Sequence, residues 1–352
     1  MIQSVVALKL FRLSAGALCL LSALMLVDVR PAGAGKDGIL DAVRQRGHLI
    51  CGTGQNEVGF SMQHGAAGWR GLFVDLCRAV ASAVLGNRDA VRFRPLAGAE
   101  RFQAVAKREV DLLSRSTAWT LSRDSRAEVQ FVTAFFHDGQ GFMIAKSAGV
   151  TSALELSGAR VCMVSGGLTE TSVKAFFMRR GMKFSTIVSE TWSDAMKRYI
   201  AGQCIVLAAD VSRLAIERSK LQDPGAHILL PEIFSYDAFG PVVHSADPRW
   251  FKVVRWVIFA LLRAEQLDLD GNSIRAAAAS ADPQVSGFAR AAAAASDELN
   301  LPENWLINVI TEIGNYADIY ERHFGEVSGV GLKRGRNALV IDGGAFSTPA
   351  FR

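Results

Sequence analysis

At 352 residues, half of them apolar and 21% charged, the chain has the length and composition of a globular protein with room for two compact domains. Its formal charge of +5 is mild, and 39 Lys and Arg are scattered among 34 Asp and Glu. With no basic block, nothing invokes nucleic acid, and beyond the first residues no stretch is apolar enough to cross a bilayer.

Residues 1–34 read as a secretory leader. Lys9 and Arg12 form a positive start, residues 13–27 an apolar run, and Ala32-Gly33-Ala34 a small-residue cleavage site. The run is short for a membrane span, which takes about 20 residues, so an uncleaved anchor is the lesser alternative. A lipoprotein fits worse, because Cys19 follows Leu18 instead of a small residue. Cleavage is expected after Ala34. It removes Lys9, Arg12, Arg30 and Asp28, lowers the charge to +3, and places the mature chain in the periplasm.

Residues 39–45 have helical spacing and 47–52 read as a first strand. The loop at 53–61 contains glycines but no phosphate-binding pattern. A helix opens at 71–80, a second strand covers 91–95, a second helix 99–107 and a third strand 110–114. This alternation predicts a parallel sheet covered by helices. The stretch VDLLSRSTAWTLSRD at 110–124 then breaks from an apolar run into Ser114, Ser116, Thr117, Thr120 and Ser122 and closes on Arg123. Hydroxyls and freed backbone N–H groups at a strand end, with a guanidinium that grips two oxygens at once, suit a small carboxylate. The competing reading is a polar loop with a solvated arginine.

The pattern pauses near 138–141 and restarts. Strands are expected at 160–164, 184–188, 204–209 and 227–230, with helices at 169–180, 193–201 and 211–221; Asp210 ends the third of these strands. A second pause falls at 239–241. One α/β unit is thus inserted into another, giving a first lobe over 35–139, an inserted lobe over 140–240, and a return over 241–352. Residues 250–262 predict an apolar helix packed on the first lobe. Residues 276–295 are alanine-rich and weakly specified, 303–324 read as one long amphipathic helix, and the tail from Gly325 as an irregular wrap. Two crossings make a hinge, and a cleft between lobes can close on a small ligand. Trp192, Trp250 and Trp256 are expected in the core and His137 on the surface. Trp119 suits core or cleft equally, and Lys174, Arg179, Arg180 and Lys183 form a solvated face.

Four cysteines follow the leader: Cys51, Cys77, Cys162 and Cys204. Three connectivities are possible; their clustering favours 51–77 and 162–204, one bridge per half. Zinc is the rival, but there is no CxxC spacing and the six histidines are dispersed.

Several segments together resemble the periplasmic solute-binding proteins of ABC-type uptake systems, in the general L-amino-acid-binding branch of the polar amino-acid group. They are GFS at 59–61, VDLCRAVA at 74–81, ERF at 100–102, the 110–124 stretch, DGQGFM at 138–143, SALELSGARVC at 152–162, LPEI at 230–233, GNYADIYER at 314–322 and RGRNAL from Arg334. The resemblance runs from about Gly38 to the C-terminus, and all four cysteines fall where that branch has them. It implies the α/β two-lobe periplasmic-binding-protein fold (type II), with two hinge crossings and the ligand between lobes. It also implies that Arg123 clasps an α-carboxylate with help from Ser116 and Thr117, that Asp210 meets the α-ammonium, and that Phe60 forms an apolar wall. Ala118 stands where the family has another hydroxyl, Leu168 where it has a threonine, and Phe73 where an aspartate is common. Either the backbone N–H groups of Gly166 and Gly167 compensate, or the ligand has changed; Thr169 in the same second-lobe loop is a further candidate contact.

The expected function is capture of a small zwitterion, an L-amino acid, and its delivery to a membrane permease by a monomer without cofactor, metal or nucleic acid. The alternatives are a non-amino-acid carboxylate as ligand, or a receptor serving a separate sensor. An enzyme on this fold, of the dehydratase kind, would need Glu170 or Asp210 as acid or base beside Arg123, and neither has an evident partner; Glu170 reads better as a first-turn helix acid.

Overall fold

The computed structural model describes residues 38–65, 68–165 and 168–352, so the expected leader and Gly166 and Gly167 lie outside the described residues. In chain order the strands are β1 (Leu49–Thr53), a small ribbon of β2 (Met62–Gln63) and β3 (Trp69–Arg70), β4 (Val91–Pro95), β5 (Leu112–Leu113), β6 (Val129–Phe131) and β7 (Phe136–Asp138). Then come β8 (Gln140–Ala145), β9 (Ala159–Val164), β10 (Phe184–Ser189), β11 (Val206–Asp210), β12 (His227–Leu229), β13 (Asp237–Phe239) and β14 (Val242–His244). One five-stranded sheet has the order β4-β1-β5-β14-β6 and the other β10-β9-β11-β8-β12. Each sheet and its helices form one lobe.

Both sheets are mixed, where the alternation had predicted parallel pairing. In the first, β1 pairs parallel with β4 and β5, but β14 runs antiparallel to β5 and β6. In the second, β9 is parallel to β10 and β11, whereas β8 is antiparallel to β11 and β12. The reversed strands are the ones next to the crossings. A chain that leaves one sheet and returns must present its crossing strands against the others' direction, and the run Gln140–Ala145, which begins within the pause at 138–141, is a central buried strand. Between the lobes, β7 and β13 pair antiparallel, with Asp138 opposite Asp237 and Phe136 opposite Phe239.

The first lobe holds the larger core. The helix Leu72–Leu85 is buried nearly all round because it lies between sheet and C-terminal helices, and Cys51 of β1 is bonded to its Cys77. Its start requires a glycine. Gly71 has φ +139°, and a Cβ there would stand 2.1 Å from the Phe60 carbonyl oxygen, so the loop carrying Phe60 can lie on the helix only if residue 71 lacks a side chain. On the same helix Asp75 is 2% exposed. It accepts from His323 Nε2 at 2.8 Å and pairs with Arg322 and Arg78. Burial alone would raise its pKa; the His323 hydrogen bond and the charges of His323 and Arg322 outweigh burial and lower it.

The C-terminal part corrects two expectations. Residues 303–324 are two helices, Trp305–Ile313 and Tyr316–His323. Gly314 at φ +91° ends the first, and the Asn315 and Asp318 side chains each accept from the other's backbone N–H to start the second. The alanine-rich stretch is better specified than its composition suggests. After a 3-10 turn at Ile274–Ala279, the helix Pro283–Ala294 starts on an Asp282 cap followed by proline. The apolar helix Pro248–Gln266 buries Trp250, whose indole N–H donates to the Asp111 carbonyl. In the second lobe Cys162 of β9 is bonded to Cys204.

Candidate ligand-binding cleft

Where β7 and β13 join the lobes, a cavity of about 300 Å³ opens between them, at the small end of the range for ligand sites. Asn56, Glu57, Val58, Phe60 and Ser116 line it from the first lobe; Asp138 and Phe239 from the crossings; Trp192, Asp210, Ser212, Arg213 and Ile216 from the second. A larger hollow of about 850 Å³ beside Tyr199 and His227 belongs to the second lobe alone.

The cavity floor is aromatic. Phe60, 7% exposed, packs on Phe324 at 4.8 Å and Phe136 at 4.9 Å between ring centres, and on Phe73 at 5.7 Å. Phe73 is fully buried beneath it and belongs to the core, not to the cavity wall.

The first-lobe wall is polar. Ser116 Oγ donates to Glu57 Oε2 at 2.8 Å, and Arg115, 9% exposed, pairs with Glu57 Oε1 and donates to the Leu96 carbonyl at 2.6 Å. Thr117 is 1% exposed with its Oγ1 unpartnered. Arg123 sits on the short helix Leu121–Asp124, half-buried, with Nη1 donating to the Ala118 carbonyl at 2.8 Å. It lies outside the cavity lining, within a group of guanidinia. Burial first, then the charges of Arg115 and Arg123, pull Arg101 down to about 10.

The second-lobe wall is acidic. Asp210 ends β11 and begins the helix Val211–Ser219. Gln140 Nε2 donates to it, and burial reinforced by the charges of Asp138 and Asp237 pushes its carboxyl up to about 7. Asp138 is also raised, chiefly by burial, although Ser212 Oγ and the N–H groups of Gly139 and Ser212 donate to it. Carboxyl groups this close resist ionising together and favour an incoming cation.

Of the residues singled out from sequence, the cavity collects Ser116, Asp210 and Phe60. Thr117, Arg123 and Thr169 stand outside its lining, Thr169 being the first residue of the helix Thr169–Met178. Sequence reasoning missed Glu57, Asp138, Trp192, Ser212 and Arg213. Asp138 carried a signal, as an acid at a chain crossing. Trp192 was expected in the core, but it is half-buried on the cavity wall with Arg213 over its ring at 4.6 Å. Trp119 is neither core nor cavity lining: 40% exposed, it stacks on Phe131 at 5.5 Å. His137 is half-buried against Phe346 at 4.8 Å, not a free surface residue.

Two α/β lobes, two antiparallel crossings and a charged slot between them define a binding protein of the type II periplasmic class. The chain belongs to the bacterial extracellular solute-binding proteins, family 3, whose profile matches residues 49–326. It is 36% identical over 323 residues to the general L-amino acid-binding periplasmic protein AapJ of Rhizobium johnstonii, covering 91% of this chain and 95% of that one. It is also 36% identical over 322 residues to the glutamate/glutamine/aspartate/asparagine-binding protein BztA of Rhodobacter capsulatus, with the same coverages. Among solved structures, the ABC transporter periplasmic binding protein of Brucella ovis with glutathione bound is 36% identical. It superposes with a TM-score of 0.76, covering 90% of this chain and 100% of that one. No helix among the described residues is long and apolar enough to cross a membrane.

Proposed function

We propose that this protein is the extracytoplasmic substrate-binding component of an ABC-type amino-acid uptake system. It holds a small zwitterion in the cleft and delivers it to a membrane permease, working as a monomer that carries out no chemistry on its ligand. The observation that carries the reading is the make-up of the slot: Ser116 on the first lobe, with the guanidinia of Arg101, Arg115 and Arg123 grouped outside the lining, stands opposite Asp210 on the second lobe and Asp138 on the crossing. A zwitterion matches both. Its α-ammonium goes to Asp210, and its α-carboxylate to the side of Ser116, Thr117 and Arg123, with Phe60 beneath. Gly166, Gly167 and Thr169 are assigned to the carboxylate side by the resemblance alone, the two glycines lying outside the described residues. Amino-acid-binding relatives at 36% identity along almost the whole chain support the same assignment.

The test is thermal-shift screening of the purified exported protein against amino acids, since any ligand that binds only the folded state raises the Tm by mass action. A rise with at least one L-amino acid supports the reading, and no rise with any of them sinks it. A second reading, a peptide-sized carboxylate, is favoured by the glutathione-bound neighbour and by the missing hydroxyls at Ala118 and Leu168. A shift with glutathione alone selects it.

A further inference from the structure

We infer that Glu57 determines which ligand the cleft accepts, selecting a side chain that ends in a cation or in N–H donors and refusing an acidic one. The inference rests on the amino-acid reading of the site and asks what the third part of such a ligand meets once its ammonium and carboxylate are placed.

Glu57 is a fixed group. Its N–H donates to the Ser61 carbonyl at 2.8 Å, and its own carbonyl accepts from Phe60 and Ser61 at 3.0 and 2.7 Å. Asn56 before it takes φ +58°, so the loop is a tight turn. Its carboxylate folds back over Gly54, where a Cβ would stand 2.2 Å from Glu57 Cδ. Only a residue without a side chain leaves that place for the carboxylate. Arg115 and Ser116 then hold it from behind, and its side chain remains 20% exposed.

The charges on the cavity wall are unbalanced. Among the described residues Glu57, Asp138 and Asp210 line it against Arg213, with Arg115 pairing Glu57 from outside the lining. Arg213 is engaged already, with Glu217 at 2.8 Å and the Trp192 ring at 4.6 Å. Arg101, Arg115, Arg123 and Arg126 stand near one another on the first lobe, and none of them lines the cavity. The α-ammonium answers Asp210 and the α-carboxylate answers the guanidinia, so Glu57 is left facing the ligand side chain. An acidic side chain would bring like charge beside Glu57.

Calorimetric titration of the exported protein with L-arginine, L-lysine, L-alanine, L-glutamate and glutathione tests this. Wild type is expected to bind arginine or lysine at least a hundredfold more tightly than glutamate. Glu57→Gln keeps the shape of the group and should narrow that ratio at least tenfold, while Glu57→Asp should retain the order. A structural role alone would move all ligands together and leave the ratio fixed, which overturns the inference. So does wild-type preference for glutamate or glutathione over arginine, a result that decides the matter even if the variants fail to fold. If alanine binds but the ratio does not move, this inference falls and the amino-acid reading stands. If no amino acid binds, both fall.

Discussion

Asp138 and Asp237 face each other across the antiparallel pair that joins the lobes, one on each crossing strand. Placing two acids at the hinge, with Asp210 close enough to feel both, ties the protonation of the cleft to its occupancy. Asp210, at about 7, lies well above the ordinary aspartate value of 3.8. The folded state therefore holds more protons than the unfolded chain between those values. The stability this group contributes is full below about 3.8 and is lost as pH rises through about 7. We expect empty Asp210→Asn to match wild type at about pH 3.8 and below and to exceed it by several degrees in Tm near pH 8, read by differential scanning calorimetry. A difference that stays flat with pH removes the assignment. With an ammonium ligand the sign reverses: binding favours the ionised carboxylate, expels a proton and tightens as pH rises, which titration in buffers of different ionisation enthalpy detects.

Asp75 behaves oppositely. Its pKa is lowered, so its contribution is present above about 3.8 and disappears as pH falls through its folded-state value. Asp75→Asn removes the anion that His323, Arg322 and Arg78 surround. Breaking a buried pair from one side costs about 3–5 kcal/mol, and the expected result is a loss of that order in urea unfolding. A loss under about 1 kcal/mol, the size of a surface pair, means the site is wetter than its burial indicates.

Arg123 tests the carboxylate side. If it grips the ligand with two hydrogen bonds, at about 1.5–3 kcal/mol each, Arg123→Ala should weaken binding by roughly a hundredfold or more. An unchanged Kd hands the role to Arg115 or Arg101, which stand nearby.

Trp192 offers an optical readout, because it lines the cavity while Trp250 and Trp305 are buried in the first lobe. Ligand binding should shift the emission of the wild type, and Trp192→Phe should remove most of that change. A full signal in the variant would place the ligand elsewhere.

Much of the fold was legible from alternation. The strands at 91–95 and 184–188 and the helices after Gly71 and Thr169 carry local periodicity that packing had no reason to override. The reversed strands were not legible, since Gln140–Ala145 is apolar enough to run either way and its direction is set by the crossings. The break at Gly314 was visible in principle: a glycine followed by asparagine, with aspartate three residues on, is a stop and a restart. Within the cleft, Asp210 could be placed from its position at a strand end. Glu57 could not, because its role depends on the space above Gly54, a relation across a turn that spacing does not reveal.

The second sheet is built from one uninterrupted segment, and the strands that lead into and out of it lie side by side as β7 and β13. It also has its own apolar centre and its own covalent staple, Cys162–Cys204. Cutting the gene at the two crossings and rejoining the flanks with a short turn should therefore give two polypeptides that each mature alone: an excised module and a remnant shortened but still oxidised at 51–77.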